Sequence, residues 1–207
     1  MTLFSHLARR VALALAFAGF IAAAPAAAAT PAEDFVSANI QKGLTILNDS
    51  QISPSERSAK FEQLLLGATD MKRVAVFALG KYGESASAAD RDAFAQAFQH
   101  YAIAVYQSYL VKYAGQTLTV TGSTAHGADD AVVATKLNDP GGRTMEVDFR
   151  VRSNTGAPVI VDFSVAGMWL APEERDQFVA FLDRNGGSIP ALIAHLDELR
   201  GKLAVTP

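Results

Sequence analysis

Residues 77–116 read FALGKYGESASAADRDAFAQAFQHYAIAVYQSYLVKYAGQ, and the fold turns on where the periodicity of this stretch changes. Leu79-Gly80-Lys81-Tyr82 closes one helix. Ser87 opens the next, with Asp90 three residues on as the acid that a helix start favours. Phe94, Phe98, Tyr101, Val105 and Tyr109 then recur at steps of three and four, which predicts one long helix over 87–112. Past Gly115 the apolar period falls from 3.6 to 2. Helices give way to strands.

The chain on either side extends this division. Upstream, Pro31–Leu47 carries Phe35, Val36, Ile40, Leu44 and Leu47 at helical spacing. Ser53-Pro54-Ser55-Glu56 combines a serine cap, a first-turn proline and a glutamate three after the cap. Phe61 and Leu64–Leu66 give that helix an apolar face, with Gly67 as its expected stop, and a third helix over 70–79 carries Val76, Phe77 and Leu79. Downstream, strands are predicted at 116–122, 131–138, 144–152 and 158–168. In the third, Met145, Val147, Phe149 and Val151 face one way and Glu146, Asp148, Arg150 and Arg152 the other. In the fourth, Val159, Val161, Phe163 and Val165 are expected to share a face. Helices from Pro172 and Ser188 complete the chain. The order predicts an α+β domain: a curved four-stranded antiparallel sheet, apolar on one side, packed against a helical lobe.

Residues 1–29 read as a cleavable leader rather than as part of the fold. His6, Arg9 and Arg10 are its basic end, Val11–Ala24 its apolar run, and Ala27-Ala28-Ala29 a peptidase site. A spanning helix needs roughly 20 apolar residues, more than this run offers. The expected mature chain, from Thr30 to Pro207, is one domain free in the periplasm: helices over about 31–113, sheet over about 116–168, helices over about 172–201. Loss of Arg9 and Arg10 takes the formal charge from −3 to −5. An acidic chain makes a poor nucleic-acid binder, since phosphate contacts require a basic face. There is no cysteine, so apolar burial alone must hold the fold in an oxidising compartment.

A search for catalytic or metal-ligating groups yields little. His100, His126 and His195 are far apart in sequence, without a second ligand at metal-like spacing. They read as a helix-face residue, a solvated turn residue and an exposed residue of the last helix. Asp129-Asp130 reads as a turn pair, Glu173-Glu174 as a helix first turn, and Gly141-Gly142 as a hairpin turn with no helix after it. Asp162 is the acid with an alternative. Beside Val161 and Phe163 it is expected to face outward, yet in a cone-shaped exported enzyme it would serve as a base. No catalytic residue, cofactor or metal is assigned.

The Leu79-Gly80-Lys81-Tyr82 helix end, the Ser87…Asp90-Arg91 helix start, the Phe94…Phe98…Tyr101 run and the Lys112-Tyr113-Ala114-Gly115-Gln116 turn together resemble the MlaC/Ttg2D (toluene tolerance) family. The likeness extends more weakly from about Phe35 to Leu196. It implies a cystatin-like or NTF2-like sheet that encloses, with the helices, an apolar cavity for a phospholipid. It also implies partners: an inner-membrane ABC transporter with its MCE protein, and an outer-membrane lipoprotein complex, with outer-membrane lipid asymmetry as the outcome. The residues it places around the lipid are Val76, Phe77, Leu79, Phe94, Phe98, Tyr101, Val105, Tyr109, Met145, Val147, Phe149, Val161, Phe163, Val165, Met168 and Trp169. A related branch accompanies hopanoid synthesis, so a polycyclic lipid is the alternative cargo. Two acyl chains of about 16 carbons hide roughly 25 kcal/mol of methylene transfer energy from water, and a bilayer offers the same shelter. Such a carrier needs a large apolar space and no reacting group. Where many members read glu-gly-val-ser, this chain has Ala166-Gly167-Met168-Trp169, a methionine and an indole at a strand-to-helix edge suited to gating acyl chains.

Overall fold

Two capping boxes start the fold. Thr30 and Ser53 each accept the backbone N–H of the residue three on, Glu33 and Glu56, at 3.2 Å. The two carboxylates return the bond to the cap N–H groups at 3.3 and 3.0 Å. A proline follows each cap, where its fixed φ suits the first turn and its missing N–H leaves nothing unpaired. The computed structural model describes residues 28–110, 113–153 and 156–204. The expected leader therefore lies, apart from residues 28 and 29, outside the described residues.

The helices are α1 (Pro31–Asn48), α2 (Pro54–Ala68), α3 (Met71–Ala78), α4 (Lys81–Ser85) and α5 (Ala88–Leu110), with α6 (Leu170–Arg184) and α7 (Ile189–Ala204) after the sheet. Gly67 does not stop α2, which continues through it to Ala68. The short α4 has no counterpart in the sequence reading. Gly80 makes it possible: its φ is +52°, and a Cβ there would stand 2.7 Å from Val179. Tyr82 then donates its hydroxyl to Asp183 at 2.6 Å, tying the Leu79–Tyr82 corner to α6.

The sheet has five strands in the order β1 (Thr117–Ala125), β2 (Asp130–Asn138), β3 (Thr144–Arg152), β4 (Val159–Val165) and β5 (Met168–Trp169), every neighbour antiparallel. The α+β class stands, with one strand more than expected. The predicted strand 158–168 is two strands: Ala166 (φ 51°) and Gly167 (φ 82°) make a two-residue hairpin that folds Met168 back against Val165.

A second correction concerns faces. Arg150 pairs with Asp162 but Val151 pairs with Ile160, so Val161 is the extra residue of a bulge. Ile160 therefore shares a face with Val151 and Phe163, while Val159 shares the face of Arg152. The expected common face of Val159, Val161, Phe163 and Val165 is broken at Val161.

Two separate cores form. One is wholly helical: Ala75, Ala78, Leu79, Phe94, Phe98, Phe178, Leu182, Leu192 and Leu196, from α3, α5, α6 and α7, are buried together. The other lies where α1 crosses the sheet and buries Val36 against Val133 and Val151, with Phe35, Ile40, Val120 and Phe149 around them. The lobes meet at the β4 edge. Asp70 N–H bonds to Ile160 O at 3.3 Å, Thr69 forms a parallel bridge with Ile160, and α3 and α6 pack on β4.

Candidate functional site

Between the two cores runs a seam of half-buried aromatics. Phe149 and Phe163 are opposed on β3 and β4 and stack at 6.3 Å between ring centroids. Tyr106 of α5 lies on the other side of Phe163 at 5.9 Å. All three keep accessible surface, whereas Phe94, Phe98 and Phe178 are buried; Tyr106 packs against the edge of the helical core and Phe149 against that of the sheet core. The three rings join the helical core to the sheet core.

The face of β4 away from the seam, toward α6, is polar. Asp162 Oδ1 accepts the N–H groups of Phe163 at 2.8 Å and Ala171 at 2.9 Å. It caps α6, whose own N-cap residue, Trp169, has no oxygen to offer. Asp162 does face away from Phe163, on the side of its register partner Arg150, but the start of α6 covers it there. The side chain is half-buried, and burial raises its pKa against the lowering effect of these N–H bonds. Glu174, in the next turn of α6, is pushed up by burial and then by Glu173. Burial also raises the Tyr106 phenol, with Asp162 and Glu174 adding to the effect.

Farther along that same sheet face lie ion pairs. Arg150 holds Asp130 through Nε at 3.0 Å and Nη2 at 2.7 Å, and Arg152 reaches the same carboxylate at 3.1 Å. Asp130 is therefore no turn residue, contrary to the sequence reading. It opens β2 with 9 % of its surface exposed, and the Arg150 hydrogen bonds hold it below the usual carboxylate range. His195 departs from expectation too, stacking on Phe181 at 4.6 Å rather than standing in solvent.

The residues expected around a ligand fall into four places. Leu79, Phe94 and Phe98 lie inside the helical core, where Phe94, Phe98 and Phe178 make mutual contacts at 5.9–6.2 Å. Tyr101 packs partly against that core, and Val105 is half-buried on the same helix. The Tyr109 side chain lies outside what is described. Phe149 and Phe163 are in the seam. Met145, Val147 and Val165 continue the same sheet face, with Met145 open at its end, and Val161 is the half-buried bulge residue. Met168 and Trp169 form β5, Met168 exposed and Trp169 half-buried. Val76 and Phe77 are elsewhere: they line an outer groove of about 630 Å³ between α3, α4 and α6, with Arg175 over the Phe77 ring at 5.0 Å.

Tyr106, absent from the sequence reading, is the seam residue it missed. A helix turns about 100° per residue, so Tyr106 lies roughly 80° around α5 from Phe98. Phe98 thus serves the helical core while Tyr106 reaches the sheet.

The family profile described as MlaC protein matches residues 37–198, which takes in the helical lobe, the whole sheet and α6. The chain belongs to the MlaC family. Its fold is similar to that of a solved phospholipid-binding protein from Ralstonia solanacearum, itself in complex with a phospholipid. The TM-score is 0.74 at 24 % identity, over 84 % of this chain and 98 % of that one. Within the MlaC fold seen here, Gly80 and Tyr82 of the Leu79–Tyr82 corner set the α3–α4 turn and its tie to α6.

Proposed function

We propose that this MlaC-family protein is a periplasmic phospholipid carrier. It holds acyl chains in the seam between sheet and helices and passes them between an inner-membrane ABC transporter complex and an outer-membrane lipoprotein complex. The observation that carries the reading is the open Phe149–Phe163–Tyr106 run between two closed cores, in a chain of this family. Apolar side chains buried to different degrees explain the division of labour. The closed cores supply stability, at about 25 cal/mol per Å² of apolar surface, while the half-open rings wait for apolar surface to complete their burial. The chemistry fits carriage rather than catalysis, because Asp162 is spent on two N–H groups and Asp130 on two guanidinium groups. Expression of the whole chain with its leader, recovery from the periplasm and organic extraction tests the reading. Co-purifying phospholipid, and its movement from labelled to unlabelled vesicles, is the expected result. Protein that emerges lipid-free and takes none from vesicles refutes it.

A further inference from the structure

Of the 15 residues of α2, Ala68 alone is buried. Phe61, Leu64, Leu65 and Leu66 give the helix an apolar face, yet each stays half-buried. That face is divided between two supports. Leu65 and Leu66 rest on the helical core, while Phe61 and Leu64 lie against Gly43 of α1, 3.8 and 3.5 Å from where a Cβ on that glycine would stand. α2 therefore crosses from the helical core to the helix that covers the sheet core.

What flanks α2 is held more firmly. α1 buries Val36 on Val133 and Val151 and is pinned at both ends by residues distant in sequence. Ser123 Oγ of β1 lies 3.1 Å from Thr30 Oγ1 and donates to Glu33 Oε1 at 2.6 Å, and the Tyr113 hydroxyl donates to Asn48 Oδ1 at 3.2 Å. The far end of α2 is fixed as well, since Ala68 is buried, Thr69 bridges Ile160 and the Asp70 N–H bonds to Ile160 O. Among the described residues the side-chain bonds of α2 itself are local: Ser53 and Glu56 close its cap, and Arg57 Nη2 reaches the Asp49 carbonyl at 2.9 Å. An element with few buried side chains and only local bonds opens at low cost.

Gly67 stands where the loose body of α2 meets its fixed end. It is exposed, its φ is not in the left-handed region, and a Cβ there would meet nothing within 4 Å. Neither the backbone nor the packing requires glycine, and glycine weakens a helix relative to alanine. Such a residue at the end of an element absorbs the dihedral change of a hinge. Resting on the phospholipid reading above, we infer that α2 is a lid over the acyl-chain seam and swings about Gly67 to admit the chains.

Gly67→Ala tests it, because the methyl has room and only the hinge stiffens. Lipid-free whole protein is mixed with vesicles of dioleoyl-phosphatidylglycerol carrying radiolabelled phosphatidylethanolamine, and is separated at timed intervals to give the uptake rate. Gly67→Ala should raise the urea midpoint and slow uptake by about fivefold, the equilibrium factor of a glycine-to-alanine exchange in a helix. Gly201→Ala makes the same exchange on α7, again with nothing within 4 Å of the new Cβ, and should leave the uptake rate unchanged. Amide hydrogen exchange should be faster in α2 than in α7 without lipid, and loading should slow it in α2. Uptake by Gly67→Ala at the unaltered rate overturns the lid while the phospholipid reading stands. Equal slowing by Gly201→Ala, or α2 exchange that lipid does not change, also overturns it. Failure of the unaltered protein to take up lipid overturns both.

Discussion

The carboxylate of Asp162 lies 2.9 Å from the N–H of Ala171, so a β4 side chain caps the helix that begins after the next hairpin. Trp169 occupies the cap position without a side-chain acceptor, and the strand supplies one instead. This single contact ties the start of α6 to the strand that carries Phe163. Replacing Asp162 with alanine should destabilise the protein by about 1–2 kcal/mol, the usual worth of a lost helix cap. Asparagine, which keeps an acceptor, should restore most of it. Urea unfolding of the three proteins measures the difference.

Phe98 and Phe163 separate stability from capture. Phe98 is enclosed by Phe94 and Phe178, so Phe98→Ala should cost about 3–5 kcal/mol with a cavity left in the helical core. Phe163 is already half-open, and Phe163→Ala should cost roughly 1–2 kcal/mol, since less apolar surface is lost from burial. Its larger effect should be on lipid uptake from vesicles. Equal stability losses, with uptake unchanged in Phe163→Ala, would place the ligand elsewhere.

The acids predict opposite pH dependences. Arg150 holds Asp130 below the usual carboxylate range, so its stabilisation is complete above about pH 4 and is lost as the pH falls through the lowered value. Asp130→Asn should flatten the acid limb of the unfolding curve. Glu174 is shifted upward by burial. Its folded form holds the proton longer than the unfolded chain does, so its contribution worsens as the pH rises from the ordinary glutamate range through the raised value. Glu174→Gln should raise stability near neutrality, with the gain shrinking toward pH 4. Denaturant midpoints across pH 3–8 check both signs.

Much of this arrangement was legible because local chemistry and the global fold agree. Ser53-Pro54-Ser55-Glu56 is a capping box in sequence and in space, and the Met145–Val151 alternation survives as one sheet face. Readings failed where a contact distant in sequence decided the matter. Asp130 looks like a turn residue until Arg150 and Arg152 are brought beside it. Val161 sits in an apolar run whose alternation conceals a bulge. Tyr106 falls off the stripe defined by Phe94 and Phe98 because one helix serves two neighbours. Gly167 did carry a signal: a glycine between Val165 and Met168 marks the hairpin that divides the predicted strand.

Met168 and Trp169 remain as the proposed gate. Their strand is two residues long, paired with Val165 and Ser164 and continuous with α6. Met168 is 56 % exposed, a large thioether left in solvent at the end of the same sheet face that carries Phe149 and Phe163. Trp169 is half-buried beneath the α6 start. So short a strand has little ladder to hold it, and an adaptable methionine beside an amphipathic indole suits a flap that covers acyl chains and moves aside. Because Trp169 is the one tryptophan of the chain, its emission reports this flap alone. Loading with phospholipid should shift the emission maximum to the blue, and phospholipid brominated along the acyl chain should quench it severalfold more than lipid brominated at no position. Met168→Ser should speed lipid exchange between vesicles, since the flap loses apolar cover without losing its backbone pairing. An emission maximum and a quenching profile indifferent to lipid would remove Trp169 from the ligand's surroundings and end the gate assignment.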